Sequence, residues 1–211
     1  MRSKEIEEYK KNLKLTSAQR EIIVGLTLGD GHLETQNNGK TYKLKIEHSV
    51  GQKEYLYWLY EELHDWVRMN PKLRSKNSQP FSYHFSTYSH ELLRFYGEQF
   101  YNNKKKIIPN SIEELLTPLS LAIWFMDDGS LKSRRHNTYV IHTLGFQRDE
   151  LERIQTVLAQ KFGVQTRLHK QKGKYLRLYV SSKSSEKFKS IVSPYVIPSL
   201  KYKLGNKMPK K

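Results

Sequence analysis

Two stretches of the chain, IVGLTLGDG at residues 23–31 and LAIWFMDDG at residues 121–129, run apolar and small residues into an Asp-Gly pair, and their final aspartates lie 98 positions apart. A helix start precedes each of them. Thr16 with Gln19 three residues on forms a capping box, and Thr117 followed by Pro118 gives an N-cap with proline at the first helical position. Each stretch therefore reads as a short helix ending at Asp-Gly, and the chain reads as one unit built twice.

The likeness extends past these helices. Residues 41–48 and 138–143 are strand-like, the first with clear alternation of apolar and polar side chains. Both lead into amphipathic helices, with Leu56, Leu59, Leu63, Trp66 and Val67 at helical spacing in one copy and Leu151, Ile154, Leu158 and Phe162 in the other. A hairpin follows in each, with strands near 72–76 and 81–87, and near 164–169 and 174–181, before a last helix. The order αββαββα, twice, predicts an α+β fold of two pseudo-twofold-related repeats, each an antiparallel four-stranded sheet backed by helices. The expected divisions are a solvated N-terminal extension (1–15), a first repeat (16–110), a second repeat (111–204) and a basic C-terminal tail (205–211).

Charge then narrows the partner. With 37 Lys and Arg against 21 Asp and Glu, the chain carries a formal charge of +16, which favours a polyanion through counterion release at phosphates. The 12% aromatic and 37% hydrophobic content is enough for a folded core, so this is not a disordered basic tail. No cysteine is present, which excludes disulfides and thiolate zinc sites and suits a reducing compartment. No apolar run approaches the roughly 18 residues of a membrane span, and the first 14 residues are too polar for a secretory signal and too acidic for a transit peptide. An intracellular setting follows, with an organelle matrix and a bacterial cytoplasm both open.

Aspartates at a helix C-terminus face the negative end of the macrodipole, at a cost of roughly 0.3–1 kcal/mol each. A divalent cation would compensate, and Mg²⁺ accepts one or two carboxylates completed by phosphate and water oxygens. Two such aspartates meeting at a pseudodyad would place metal beside both backbones of a duplex, where it can activate water and stabilise a leaving oxygen. Either Asp-Gly pair alone is more simply an ordinary helix-ending turn; the matched context of Asp30 and Asp128 favours a shared purpose. Gly25, Gly29 and Ala122 would let the two helices approach closely. Because the copies diverge, a nucleic-acid target read by both should be asymmetric.

These motifs resemble the LAGLIDADG homing endonucleases, and from about Thr16 to Leu204 the chain is similar to the single-chain, two-motif branch of that family. The resemblance also covers the run from Asn103 through Lys106 and Pro109 to Asn110, the run from Leu116 to Gly129, and the ending from Pro194 through Pro198 to Tyr202, Lys203 and Leu204. It implies a monomer that binds a long double-stranded DNA site, lays its sheets in successive major grooves and cuts across the intervening minor groove to leave short 3′ overhangs. It assigns metal binding to Asp30 and Asp128, with help from the backbone carbonyls of Gly29 and Asp127; Asp127 is the less secure carboxylate. The expected cofactor is Mg²⁺, with Mn²⁺ substituting and Ca²⁺ binding without efficient cleavage. Lys106 and Lys203 match the basic residues beside the scissile phosphates, and they follow Asp30 and Asp128 by 76 and 75 positions. The alternative for each lysine is a solvated charge in a basic stretch. Thr27, Gly29, Ile123 and Met126 depart from the family pattern, which implies an asymmetric helix crossing and unequal cutting of the two strands.

DNA contacts are expected from the polar faces of the strands: Lys43, Lys45, Glu47, Arg74, Ser82, His84 and Ser86 in one copy, and Arg134, His142, Gln165, Arg167, Tyr175 and Arg177 in the other. Two-stranded ribbons fit the major groove, where Arg and Lys read guanine and acidic groups read cytosine. A one-residue slip of phase would swap these faces. Two rivals remain open: a DNA-binding regulator that has lost cleavage, and an RNA maturase acting on a host intron. Without flanking splicing elements, a free-standing intron-encoded protein fits better than an intein.

Overall fold

Residues Ser3–Lys11 form a helix, α1, and the chain behind it sinks Leu13 and Leu15 into the core. The Tyr9 hydroxyl donates to the Asp65 carbonyl at 2.8 Å, and His90 Nε2 lies 3.0 Å from the Lys10 carbonyl. Most side chains of this helix are exposed, as expected of a solvated extension, but two apolar residues just beyond it moor it to the core. The computed structural model describes residues 3–133, 137–171, 173 and 175–205. Arg134, proposed from sequence as a DNA contact, and residues 206–211 of the basic tail lie outside the described residues.

Both anticipated caps form. The Thr16 hydroxyl accepts from the Gln19 amide and the Gln19 side chain from the Thr16 amide, each at 3.1 Å, at the start of α2 (Ser17–Leu28). After α2 come β1 (His32–Glu34), β2 (Lys43–Ser49), α3 (Lys53–Glu62), β3 (Lys72–Lys76), β4 (Gln79–Ser86) and α4 (Arg94–Phe100). A two-residue hairpin, β5 (Tyr101–Asn102) and β6 (Lys105–Lys106), and a one-turn helix, α5 (Ile112–Leu115), lead to the second copy. Thr117 caps α6 (Pro118–Asp128) with Ser120 as its reciprocal partner. Then follow β7 (Gly129–Ser133), β8 (Thr138–Ile141), α7 (Arg148–Phe162), β9 (Thr166–Gln171), β10 (Tyr175–Val180) and α8 (Ser185–Val192).

The two sheets have the same topology, β1-β2-β4-β3 and β7-β8-β10-β9, with every pairing antiparallel. Period-two alternation sets their faces: in β2, Leu44, Ile46 and His48 turn inward while Lys45, Glu47 and Ser49 turn out. α3 packs on β2 and β4, and α7 on β9. The helix expected to run on to Val67 stops at Glu62 and gives way to a 3₁₀ turn over His64–Trp66, which still buries Trp66. One buried apolar cluster runs through both copies, from Leu13 to Leu204.

At the centre α2 crosses α6. A Cβ added to Gly25 would lie 2.5 Å from Ile123 Cβ and from the Ser120 carbonyl oxygen, and one added to Gly29 would overlap the Asp127 side chain. Gly25 and Ile123, like Gly29 and Asp127, are counterparts in the 98-residue offset. A residue lying on a twofold axis meets its own counterpart, so these pairs mark the pseudodyad. Each glycine makes room for the larger residue opposite it. The crossing is thus close and lopsided, with Ile123 and Asp127 rather than Ala122 facing the glycines.

Candidate active site

The pseudodyad brings the C-terminal ends of α2 and α6 together, but it ends them differently. Asp128 is the last residue of α6, and its carbonyl accepts from the His142 amide at 3.0 Å. In the first copy the helix stops at Leu28, Gly29 leaves the helical region (φ −94°, ψ −130°), and Asp30 lies beyond it with an exposed side chain. Gly31 N–H still reaches back to the Leu26 carbonyl at 2.7 Å. Asp30 N–H turns across the dyad and donates to Asp127 Oδ2 at 2.8 Å.

Asp127 is buried, and its other oxygen accepts from the Tyr55 hydroxyl at 2.8 Å. Burial raises its carboxyl well above the ordinary carboxylate range, with nearby Asp30 adding to the effect and the two hydrogen bonds opposing it. His48, 3% exposed, stands between the aspartates, with Nδ1 3.7 Å from Asp30 Oδ2 and Nε2 3.8 Å from Asp127 Oδ1. Burial brings its imidazole down to about 4 despite Asp30, so it is neutral at neutral pH. Candidate ligand atoms of Asp30, His48 and Asp127 lie within 4.8 Å of one another. Asp128 is outside this trio, yet its carboxyl is pushed up to about 7 by burial and then by Asp30, while Lys106, Trp124 and Lys203 pull the other way.

Lys106 and Lys203 arrive from opposite copies. The β5–β6 turn carries two consecutive left-handed residues, Asn103 (φ 47°) and Lys104 (φ 66°), the backbone of a tight two-residue hairpin, and this sets Lys106 beside α2. Its Nζ donates to the Gly29 and Gly31 carbonyls at 2.6 and 2.8 Å. Lys203, buried in the 3₁₀ turn Pro198–Leu204, donates to the Met126 and Asp127 carbonyls, the latter at 3.1 Å. Both ammonium groups answer the negative ends of the helices. Burial holds both below the ordinary lysine range against the pull of the aspartates. Gly29, Lys106, Asp128 and His142 line one cleft of about 500 Å³, so the lysine of one copy and the aspartate of the other share a solvent-open space.

Sequence reasoning thus anticipates that Asp30, Asp128, Gly29, Asp127, Lys106 and Lys203 gather here, and all six do. It misses His48 and Tyr55. A signal for His48 was present, since it continues the inward phase of Leu44 and Ile46; Tyr55 looks like any core aromatic.

The strand faces follow the predicted phase. Register sets Lys45 opposite Ser86, Glu47 opposite His84 and Arg74 opposite Ser82, so these residues share one face with Lys43. Ser82 is buried and donates to Glu47, which also pairs with Arg74 at 3.1 Å. In the second sheet Arg167, Tyr175 and Arg177 share a face; Gln165 sits just before β9, and His142, one residue past β8, contacts Ser130 at 3.3 Å. The same parity would have added His169 and Tyr179, whose rings stack at 4.2 Å with Lys132 5.5 Å from the Tyr179 centroid. Glu34 neutralises part of the first face by pairing with Lys43 and Lys45 at 3.3 and 2.6 Å.

Residues 20–188 match the LAGLIDADG DNA endonuclease family. A probable intron-encoded endonuclease of Wickerhamomyces canadensis is 32% identical over 96% of this chain and 90% of its own length. A cytochrome b mRNA maturase of Debaryomyces hansenii is 30% identical over 93% of this chain and 77% of its own. Among solved structures, the homing endonuclease I-WcaI bound to its DNA recognition sequence superimposes with a TM-score of 0.87 at 31% identity, over 96% of this chain and 92% of that one. The two Asp-Gly helices crossed at a pseudodyad, the paired four-stranded sheets and these likenesses place the chain in the LAGLIDADG DNA endonuclease family.

Proposed function

We propose that the protein is a monomeric, site-specific homing endonuclease that breaks both strands of a long, asymmetric DNA site by metal-dependent phosphodiester hydrolysis, leaving short 3′ overhangs. The observation that carries this reading is the convergence of Asp30 and Asp128 at the crossing of α2 and α6, with Lys106 and Lys203 in attendance. The donor set fits a hard divalent cation. Asp30 is exposed, Asp128 lines an open cleft, and Asp30 raises the carboxyl of Asp128, the repulsion that a cation between them would relieve.

Asp30 and Asp128 would hold Mg²⁺, with Mn²⁺ able to replace it and Ca²⁺ occupying the site without efficient turnover. When bound, the ion supplies Lewis-acid stabilisation of charge and a more acidic water. Asp127, with both oxygens engaged by Tyr55 and Asp30, is better suited to holding the site than to ligating metal. The carbonyls of Gly29 and Asp127 accept from the lysines in the free protein, so their use as ligands would need those ammonium groups to swing toward the DNA. Lys106 and Lys203 are then placed to bind the scissile phosphates and to meet the charge that develops on them. The two repeats, 16–110 and 111–204, present their basic faces to the duplex through Lys43, Lys45, Glu47, Arg74, His84 and Ser86, and through His142, Gln165, Arg167, Tyr175 and Arg177; Ser82, expected among them, is buried and braces Glu47 instead. His169 and Tyr179 extend the second surface.

To test this, purified protein is incubated in Mg²⁺ with a randomised plasmid library beside the Asp30→Asn, Asp128→Asn double variant, and every new DNA end is sequenced. Ends converging on one long asymmetric site, absent with the variant, are expected. A well-sampled library with no protein-dependent ends would defeat the reading. The likeness to a maturase supports a second activity on host intron RNA in the compartment that holds the intron-bearing DNA. Splicing that survives Asp30→Asn while cutting is lost would establish both roles.

A further inference from the structure

We infer that His48, Tyr55 and Asp127 are positioning residues for Asp30 alone, so that the two halves of the site are held by different means. This rests on the endonuclease reading above. Asp128 is held from within its own copy: it closes the last turn of α6, its carbonyl is fixed to the His142 amide at 3.0 Å, and Trp124 of the same helix lies beside its carboxyl. Asp30 lies two residues past the end of α2, where no helix carbonyl takes its N–H. The acceptor is Asp127 Oδ2, supplied by the other copy at 2.8 Å.

The reciprocal bond cannot exist. The counterpart of Asp127 is Gly29, which has no side chain to offer, and any Cβ there would overlap Asp127. Tyr55 secures Asp127 from behind through its hydroxyl at 2.8 Å, and the Tyr55 ring lies 4.8 Å from that of His48. His48 is buried, its Nε2 has no hydrogen-bond partner, and its Nδ1 is 3.7 Å from Asp30 Oδ2, a gap that a small approach of Asp30 would close to a hydrogen bond.

Among the described residues the second sheet shows no equivalent. Ile46 pairs with Phe85 as Ile141 pairs with Leu178, which sets Thr143 at the position of His48. The Thr143 hydroxyl donates at 2.9 Å to the Leu176 carbonyl, into its own sheet.

Two measurements on the full chain test this. Amide hydrogen exchange by NMR should show the Asp30 N–H protected in the wild type and exchanging about tenfold faster in Tyr55→Phe, as expected when a partly buried hydrogen bond loses its support, with Asp128 unchanged. Strand-resolved single-turnover cleavage, on a plasmid carrying the site recovered from the library, should show Tyr55→Phe and His48→Leu slowing one strand about tenfold and the other little. Nicked circles should then accumulate with every nick on the same strand, and His48→Gln, which keeps an N–H, should recover most of the rate. Unchanged exchange at Asp30, or equal slowing of both strands with loss of folding stability, would overturn the inference. A wild type that makes no cuts while the exchange change is still seen would defeat the endonuclease reading and leave the positioning network standing.

Discussion

Replacing Asp128 by Asn should stabilise the metal-free protein while destroying its activity. Burial and Asp30 raise this carboxyl from 3.8 to about 7, so the folded protein keeps a proton that the unfolded chain has released. Because the folded value is the higher one, the group's contribution is fully present below about 3.8 and is lost as pH rises through about 7. Across the whole range that amounts to about 4 kcal/mol; between pH 5 and pH 8 linkage gives about 2–3 kcal/mol. Asparagine has no proton to lose. The stability of the Asn variant minus that of the wild type should therefore grow by about 2–3 kcal/mol from pH 5 to pH 8, whatever constant offset the amide itself introduces. Urea unfolding in chelator, followed by the fluorescence of the buried Trp66 and Trp124, measures both differences. Adding Ca²⁺ at pH 8 should narrow the gap, because a bound cation stabilises the ionised aspartate. A difference that stays flat with pH, or shrinks as pH rises, would refute the assignment of a strained carboxylate at this position.

Other expectations are read more directly. Asp30→Asn should abolish double-strand cleavage yet change DNA affinity little, as phosphate and base contacts supply binding; gel-shift titration in Ca²⁺ beside cleavage in Mg²⁺ separates the two, and robust cutting in chelator would sink the metal mechanism. Lys106→Ala and Lys203→Ala should slow single-turnover cutting and accumulate nicked plasmid, and unchanged rates in both would remove these lysines from the chemistry. Gly25→Ala should cost about 1–3 kcal/mol in urea unfolding by forcing α2 away from Ile123 and Ser120; a neutral result would mean the crossing yields more easily than its geometry suggests.

How much of this could be read in advance depended on whether a feature was local. The Asp-Gly ending of the second helix, the Thr16 and Thr117 caps and the strand phase are short-range patterns, and each reappears in the fold, whereas the first helix stops at Leu28, short of its Asp-Gly pair. The moored α1 was missed because its sequence is polar, and the two leucines that hold it follow the helix rather than lie in it. The pairing of Gly29 with Asp127 needed the pseudodyad: each residue alone looks like a departure from a motif, and only the crossing makes the glycine a seat for the carboxylate. Tyr55 was invisible for a similar reason. Its hydroxyl meets Asp127 from 72 residues away, and no pattern within α3 distinguishes it from the core aromatics around it.

Asp30 and Asp128, meeting at one pseudodyad, should cut both strands across a single minor groove. Mapping both cut positions at single-nucleotide resolution on the recovered site tests it most directly. Two scissile phosphates offset to leave short 3′ overhangs are expected, with both cuts lost in the Asp30→Asn, Asp128→Asn double variant. Blunt or 5′-overhanging ends, or ends that persist in that variant, would contradict it.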